Sequence, residues 1–108
     1  MTWDPPDESD SAVRGWMETQ DWPVTATHSH FDRHIYAWRH DVAGECYTLR
    51  ITQIVIEDAK SPLALVEALN FWKVADELRK QPDAYTLVKR SPTGVVVEQL
   101  PGPPWPMR

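Results

Sequence analysis

Cysteine occurs once in this chain, at Cys46, so no internal disulfide forms, as expected of a protein kept in a reducing compartment. Glycine is almost as scarce. The four residues, at positions 15, 44, 94 and 102, never cluster, which excludes a Gly-rich phosphate loop, and no Gly-x-Ser-x-Gly elbow occurs. No apolar run approaches the roughly 20 residues that a membrane span needs. The first ten residues, MTWDPPDESD, are acidic where a secretory signal would be basic and then apolar. These absences lead to the expectation of a soluble, cytoplasmic protein with no membrane partner. Basic excess is missing too, since the formal net charge is −5, and a dedicated nucleic-acid binder usually carries the opposite sign.

The acidity is unevenly placed. Residues 1–30 hold Asp4, Asp7, Glu8, Asp10, Glu18 and Asp21 against Arg14 alone, whereas residues 31–108 hold ten acidic and ten basic side chains. A neutral body thus follows an acidic leader. The leader contains Pro5, Pro6 and Pro23, but also Trp3, Trp16 and Trp22, and disordered segments are poor in aromatics. Residues 1–31 are therefore read as a leader that is partly disordered or docked, with Ser11 to Asp21 as one short helix lying on the body. Residues 32–100 are read as the folded domain. Residues 101–108, PGPPWPMR, form a Pro-rich tail, either a frayed polyproline II terminus or a peptide motif for an aromatic-lined groove.

Within the body, HIYAWRHDVAGECYTLRITQIVI reads as a hairpin turning at Ala43-Gly44. That turn sets Val42 opposite Glu45, Trp38 opposite Leu49 and Tyr36 opposite Ile51. One face is then aromatic and aliphatic. The other carries Ile35, Ala37 and Arg39 beside Cys46, Thr48, Arg50 and Thr52. The second strand is expected to run on through Ile54, Val55 and Ile56 as a segment buried on both sides. Ser61-Pro62 starts a helix, serine as N-cap and proline at the first helical position, and Pro82 ends it near Gln81. Its apolar arc, which includes Leu63, Ala68, Phe71, Val74 and Leu78, is wider than the roughly 100° stripe one sheet needs. The leader, the tail or a second subunit would cover the excess. Strands Tyr85 to Arg90 and Val95 to Leu100 follow, joined by the turn Ser91-Pro92-Thr93-Gly94. The expected fold is α+β in two layers: an antiparallel sheet of about four strands, in the order β-β-α-β-β, with one long helix packed on one face.

Chemistry is harder to find than shape. His28 and His30 alternate on an extended segment with His34 beyond, a spacing that suits two or three zinc ligands but suits a polar linker as well. The carboxylate pairs Glu57-Asp58 and Asp76-Glu77 sit at a strand end and on a helix, where solvated charge is the simpler reading. No cofactor is expected, and the protein is not expected to be an enzyme. Single-stranded nucleic acid would need rings and cations on one surface. Here Tyr36, Trp38 and Tyr47 alternate with the arginines, and exposing the rings would bury unpaired charge. The rings are thus assigned to the core, and Ile35, Ala37, Arg39, Thr48, Arg50, Lys89 and Arg90 to a candidate binding surface. The expected function is macromolecular recognition between proteins, with the chain self-associating as a homodimer. Two alternatives stand beside it: single-stranded nucleic-acid binding through the basic sheet face, and a metal site built on His28, His30 and His34.

Overall fold

The alternation of rings and arginines in residues 35–52 fixes the geometry of the middle of the molecule. In the computed structural model, which describes residues 5–20, 24–31, 34–42, 44–80 and 84–101, that stretch forms two antiparallel strands. Their register pairs Val42 with Glu45, Trp38 with Leu49 and Tyr36 with Ile51, as the turn at Gly44 (φ +84°) requires. In chain order the elements are α1 (Pro5–Glu18), β1 (Val24–Phe31), β2 (Ile35–Val42), β3 (Glu45–Thr52), α2 (Gln53–Ala59), α3 (Pro62–Phe71), α4 (Val74–Leu78), β4 (Ala84–Ser91) and β5 (Gly94–Pro101).

The fold is α+β, but the sheet has five strands rather than four, in the order β1-β2-β3-β4-β5. It is mixed rather than antiparallel, because β3 and β4 run parallel. The helical segment between them is a crossover long enough to return the chain to the starting end, which a hairpin connection is not. The expected long second strand stops at Thr52. Ile54, Val55 and Ile56 belong to α2, where Val55 and Ile56 are buried and Ile54 is exposed. A helix can bury two adjacent residues and expose the one before them, and Gln53 Nε2 donates to Glu57 Oε2 across one turn (2.7 Å).

The single long helix is also replaced, by α3 and α4. Ser61 caps α3 as expected, its hydroxyl accepting from the Ala64 N–H (3.1 Å). The helix then breaks at Lys73, which takes a left-handed conformation (φ 57°). This conformation costs a non-glycine residue roughly 1–2 kcal/mol. The bend is offset by packing, since it brings Val74 and Leu78 of α4 into the same core as Leu65 and Leu69 of α3.

Residues 1–31, read from the sequence as a leader that is partly disordered or docked, supply two packed elements among the described residues, α1 and β1. β1 is an edge strand of the sheet, and α1 packs on α3 and β1. Val13, Trp16 and Met17 of α1 are buried in one cluster with Trp38, Leu49, Ile51, Leu65 and Leu69. Two polar contacts tie the helix to the rest of the fold, and a third lies within it. Trp38 Nε1 donates to Asp10 Oδ1 (3.1 Å), Trp16 Nε1 to Asn70 Oδ1 (2.9 Å), and Arg14 Nε to Asp10 Oδ1 (2.8 Å). A buried indole N–H without a partner is costly, so these contacts specify the helix position as well as stabilise it. Thus α1 covers part of the surplus apolar arc of α3. The tail with Trp105, and Trp3 and Trp22, lie outside the described residues. Among the described residues no helix is long and apolar enough to cross a membrane.

Candidate binding surface on the open sheet face

Successive strand residues point to opposite faces, so register alone sorts the side chains. Tyr36, Trp38, His40 and Val42 of β2, Tyr47, Leu49 and Ile51 of β3, and Thr86 and Val88 of β4 share the face that meets the helices. The opposite face carries His28 and His30 from β1, Ile35, Ala37, Arg39 and Asp41 from β2, and Cys46, Thr48, Arg50 and Thr52 from β3. Tyr85, Leu87 and Lys89 of β4 and Val96, Glu98 and Leu100 of β5 complete it. All buried helix residues belong to the first face, and none of the described helices lies on the second.

Six of the seven residues assigned to a binding surface are brought to this open face. Arg90 is not, because it neighbours Lys89 in one strand and must point the other way; its guanidinium pairs with Asp58 at the end of α2. Ala37 and Thr48 share the open face but are fully buried, flanked by Arg39, Arg50 and Tyr85. They form its floor and offer no area to a partner. Ile35 stands at the rim, where it lines a shallow cleft of about 470 Å³ with His34, Thr52, Gln53, Ile54 and Glu57.

The cations of the face are largely engaged. Arg39 Nε lies 3.1 Å from Asp41 Oδ1, and Lys89 Nζ lies 3.0 Å from Glu98 Oε2. The Arg50 guanidinium stacks over the Tyr85 ring, 4.2 Å from its centroid. Desolvation pushes the Asp41 carboxyl upward, but the Cys46 hydrogen bond and the Arg39 guanidinium prevail and hold it below the ordinary carboxylate value. Asp41 therefore keeps its negative charge, and the face is patterned in both signs. Tyr85, Leu87, Val96 and Leu100 were not recognisable as members from the sequence. Their parity relative to Arg50 becomes readable only once the β3–β4 and β4–β5 registers are known.

His28 and His30 do share the open face, and His28 Nε2 approaches Asp41 Oδ2 at 3.4 Å. His34 sits apart, at the rim cleft. Among the described residues no three His, Cys, Asp or Glu side chains converge on a possible metal position. His40, on the helix face, has a strongly shifted proton affinity. Burial, reinforced by the Arg14 charge and opposed by Asp41, lowers its pKa from 6.5 to about 4. It is neutral at pH 7, with Nδ1 3.4 Å from the Thr27 hydroxyl.

Comparison with models of protein families, with characterised proteins and with solved structures found no match.

Proposed function

We propose that the protein works by recognising another protein through its sheet, without a catalytic step, and that it self-associates as a homodimer. The observation that carries this reading is the open face. It spans five strands and mixes Ile35, Leu87, Val96 and Leu100 with charged side chains of both signs. A face of apolar patches among paired charges matches the composition of protein interfaces, whose centres are apolar and whose rims are polar. Single-stranded nucleic acid is less well served. Arg39 and Lys89 are already neutralised by Asp41 and Glu98, and the three core rings point away from the face.

Sedimentation at tens of micromolar is expected to give about twice the 12.5 kDa chain mass, and a monomer would remove the self-association. A labelled single-stranded oligonucleotide at low salt is expected not to bind. Salt-sensitive binding that disappears in Arg39→Ala/Arg50→Ala would replace the protein reading with the nucleic-acid one.

A further inference from the structure

A sheet edge exposes a row of unpaired N–H and C=O groups, and proteins guard such rows with bulges, charged side chains or covering elements. The two edges of this sheet are treated differently. The β1 register shifts between Val24 and Ala26, and Arg14 lies along that strand, its Nη1 donating to the Thr27 carbonyl (2.9 Å) and its Nη2 to the Ser29 hydroxyl (3.1 Å). Among the described residues the β5 edge shows no register shift, and its one charged side chain is Glu98, which is paired with Lys89 of β4. Its eight residues, GVVVEQLP, pair with β4 without a shift from Gly94 to Pro101, and they include three consecutive valines and no basic residue.

Resting on the self-association proposed above, we propose that the second copy pairs here, β5 against β5 antiparallel, about a twofold axis at Val97 that joins two five-stranded sheets into one of ten. The register follows from the turn. A two-residue loop makes Ser91 and Gly94 a hydrogen-bonded pair, and pairs alternate from there. Val95, Val97 and Gln99 therefore direct their backbone groups away from β4, to the free edge. Pro101 falls in the same series, where its missing N–H breaks no bond to β4. An antiparallel twofold keeps each side chain on its own face, so residues of like parity must meet. An axis at Val97 sets Val97 against itself and Val95 against Gln99, so that every outward N–H and C=O of these three residues is paired.

On the open face the same axis sets Val96 opposite Glu98 of the other copy. Each carboxylate then stands one strand from Lys89, across Val96, as well as 3.0 Å from the Lys89 of its own chain. Moving the axis to Glu98 would oppose two carboxylates directly, which is destabilising, and would turn the wrong backbone groups toward the partner. Charge and hydrogen-bonding direction thus favour an axis at Val97 over one at Glu98. The four described helices of each copy fall on one side, and the two open faces become a single surface.

The test has two arms. Val97→Pro removes an N–H that makes no bond to β4, and on the axis it removes two intermolecular hydrogen bonds at once. Self-association measured by sedimentation is expected to weaken by about thirty-fold or more, with the circular dichroism spectrum unchanged. Independently of that variant's folding, a mixture of Val96→Cys and Glu98→Cys chains, each also carrying Cys46→Ser, is oxidised with copper phenanthroline. Directly opposed residues of this kind stand about 4.5 Å apart at Cα, within disulfide reach, so the mixture is expected to give a linked dimer that neither chain gives alone. A dimer that withstands Val97→Pro and gives no linkage overturns the edge pairing while leaving self-association standing. Linkage of Glu98→Cys with itself overturns the register. A wild-type monomer removes self-association and the edge pairing together.

Discussion

Lowering the pH from 7 to 5 should destabilise the fold by about 2 kcal/mol through one side chain, His40. Its imidazole is fully buried between β1 and β3, beneath α1, and burial together with the Arg14 charge holds its pKa at about 4. In the unfolded chain the value is 6.5. As the pH falls, the unfolded state takes up a proton first, and stability is lost progressively between 6.5 and 4. The full gap corresponds to about 3 kcal/mol, and pH 5 lies roughly 1.5 units below the unfolded value, so about 2 kcal/mol is lost there. Asp41 does not blur this window. Its carboxyl is held below 3.8 in the folded state, so the stability it contributes is lost only under more acid conditions. Urea unfolding at pH 7, 6 and 5, compared with His40→Gln, isolates the effect. The variant should show a flatter dependence on pH whatever its absolute stability. Parallel slopes in the two proteins would refute the assignment.

Two further perturbations probe the helical layer. Asp10→Ala strips the partner from the buried Trp38 indole and releases Arg14, and should cost about 2 kcal/mol in chemical unfolding; a loss under about 0.5 kcal/mol would mean that the contact does not position α1. Lys73→Gly removes a left-handed non-glycine residue at the α3–α4 break at the cost of a more flexible unfolded chain. It should stabilise the protein by about 0.5 kcal/mol, and a loss of stability would show that the Lys73 side chain contributes contacts beyond its backbone.

The central hairpin was legible in the sequence because its constraints agree. A two-residue turn sets the register, and alternation sets the faces, so Trp38 and Leu49 could be paired from the sequence alone. The sorting of Arg39 and Arg50 away from the rings follows from the same constraints. The edge strand β1 was not legible. Of the residues that VTATHSHF turns toward the helices, Phe31 is apolar but Thr27 and Ser29 are polar, so no apolar rhythm shows. Thr27 and Ser29 are tolerated there because long-range partners meet them: the Ser29 hydroxyl accepts from Arg14, and the Thr27 hydroxyl lies 3.4 Å from His40 Nδ1. Ile54-Val55-Ile56 misleads for a different reason. Three β-branched residues favour a strand locally, and only the packing of Val55 and Ile56 into the core makes a helix the better solution. The break at Lys73 carries no proline or glycine signal, because long-range burial of Val74 and Leu78 decides it. For the open face, the β3–β4 registry that adds Tyr85 and Leu87 is a parallel pairing across a helical crossover, which short-range patterns do not encode.

The hydrogen bond between Trp16 and Asn70 joins residues 54 positions apart, and this sets an order of events when the chain is made. At about 5–20 residues per second, Trp16 is synthesised roughly 3–11 seconds before its partner on α3. During that interval Val13, Trp16 and Met17 have no core to enter. This helix is thus made before the core it enters, and its apolar side needs shelter from aggregation until α3 arrives.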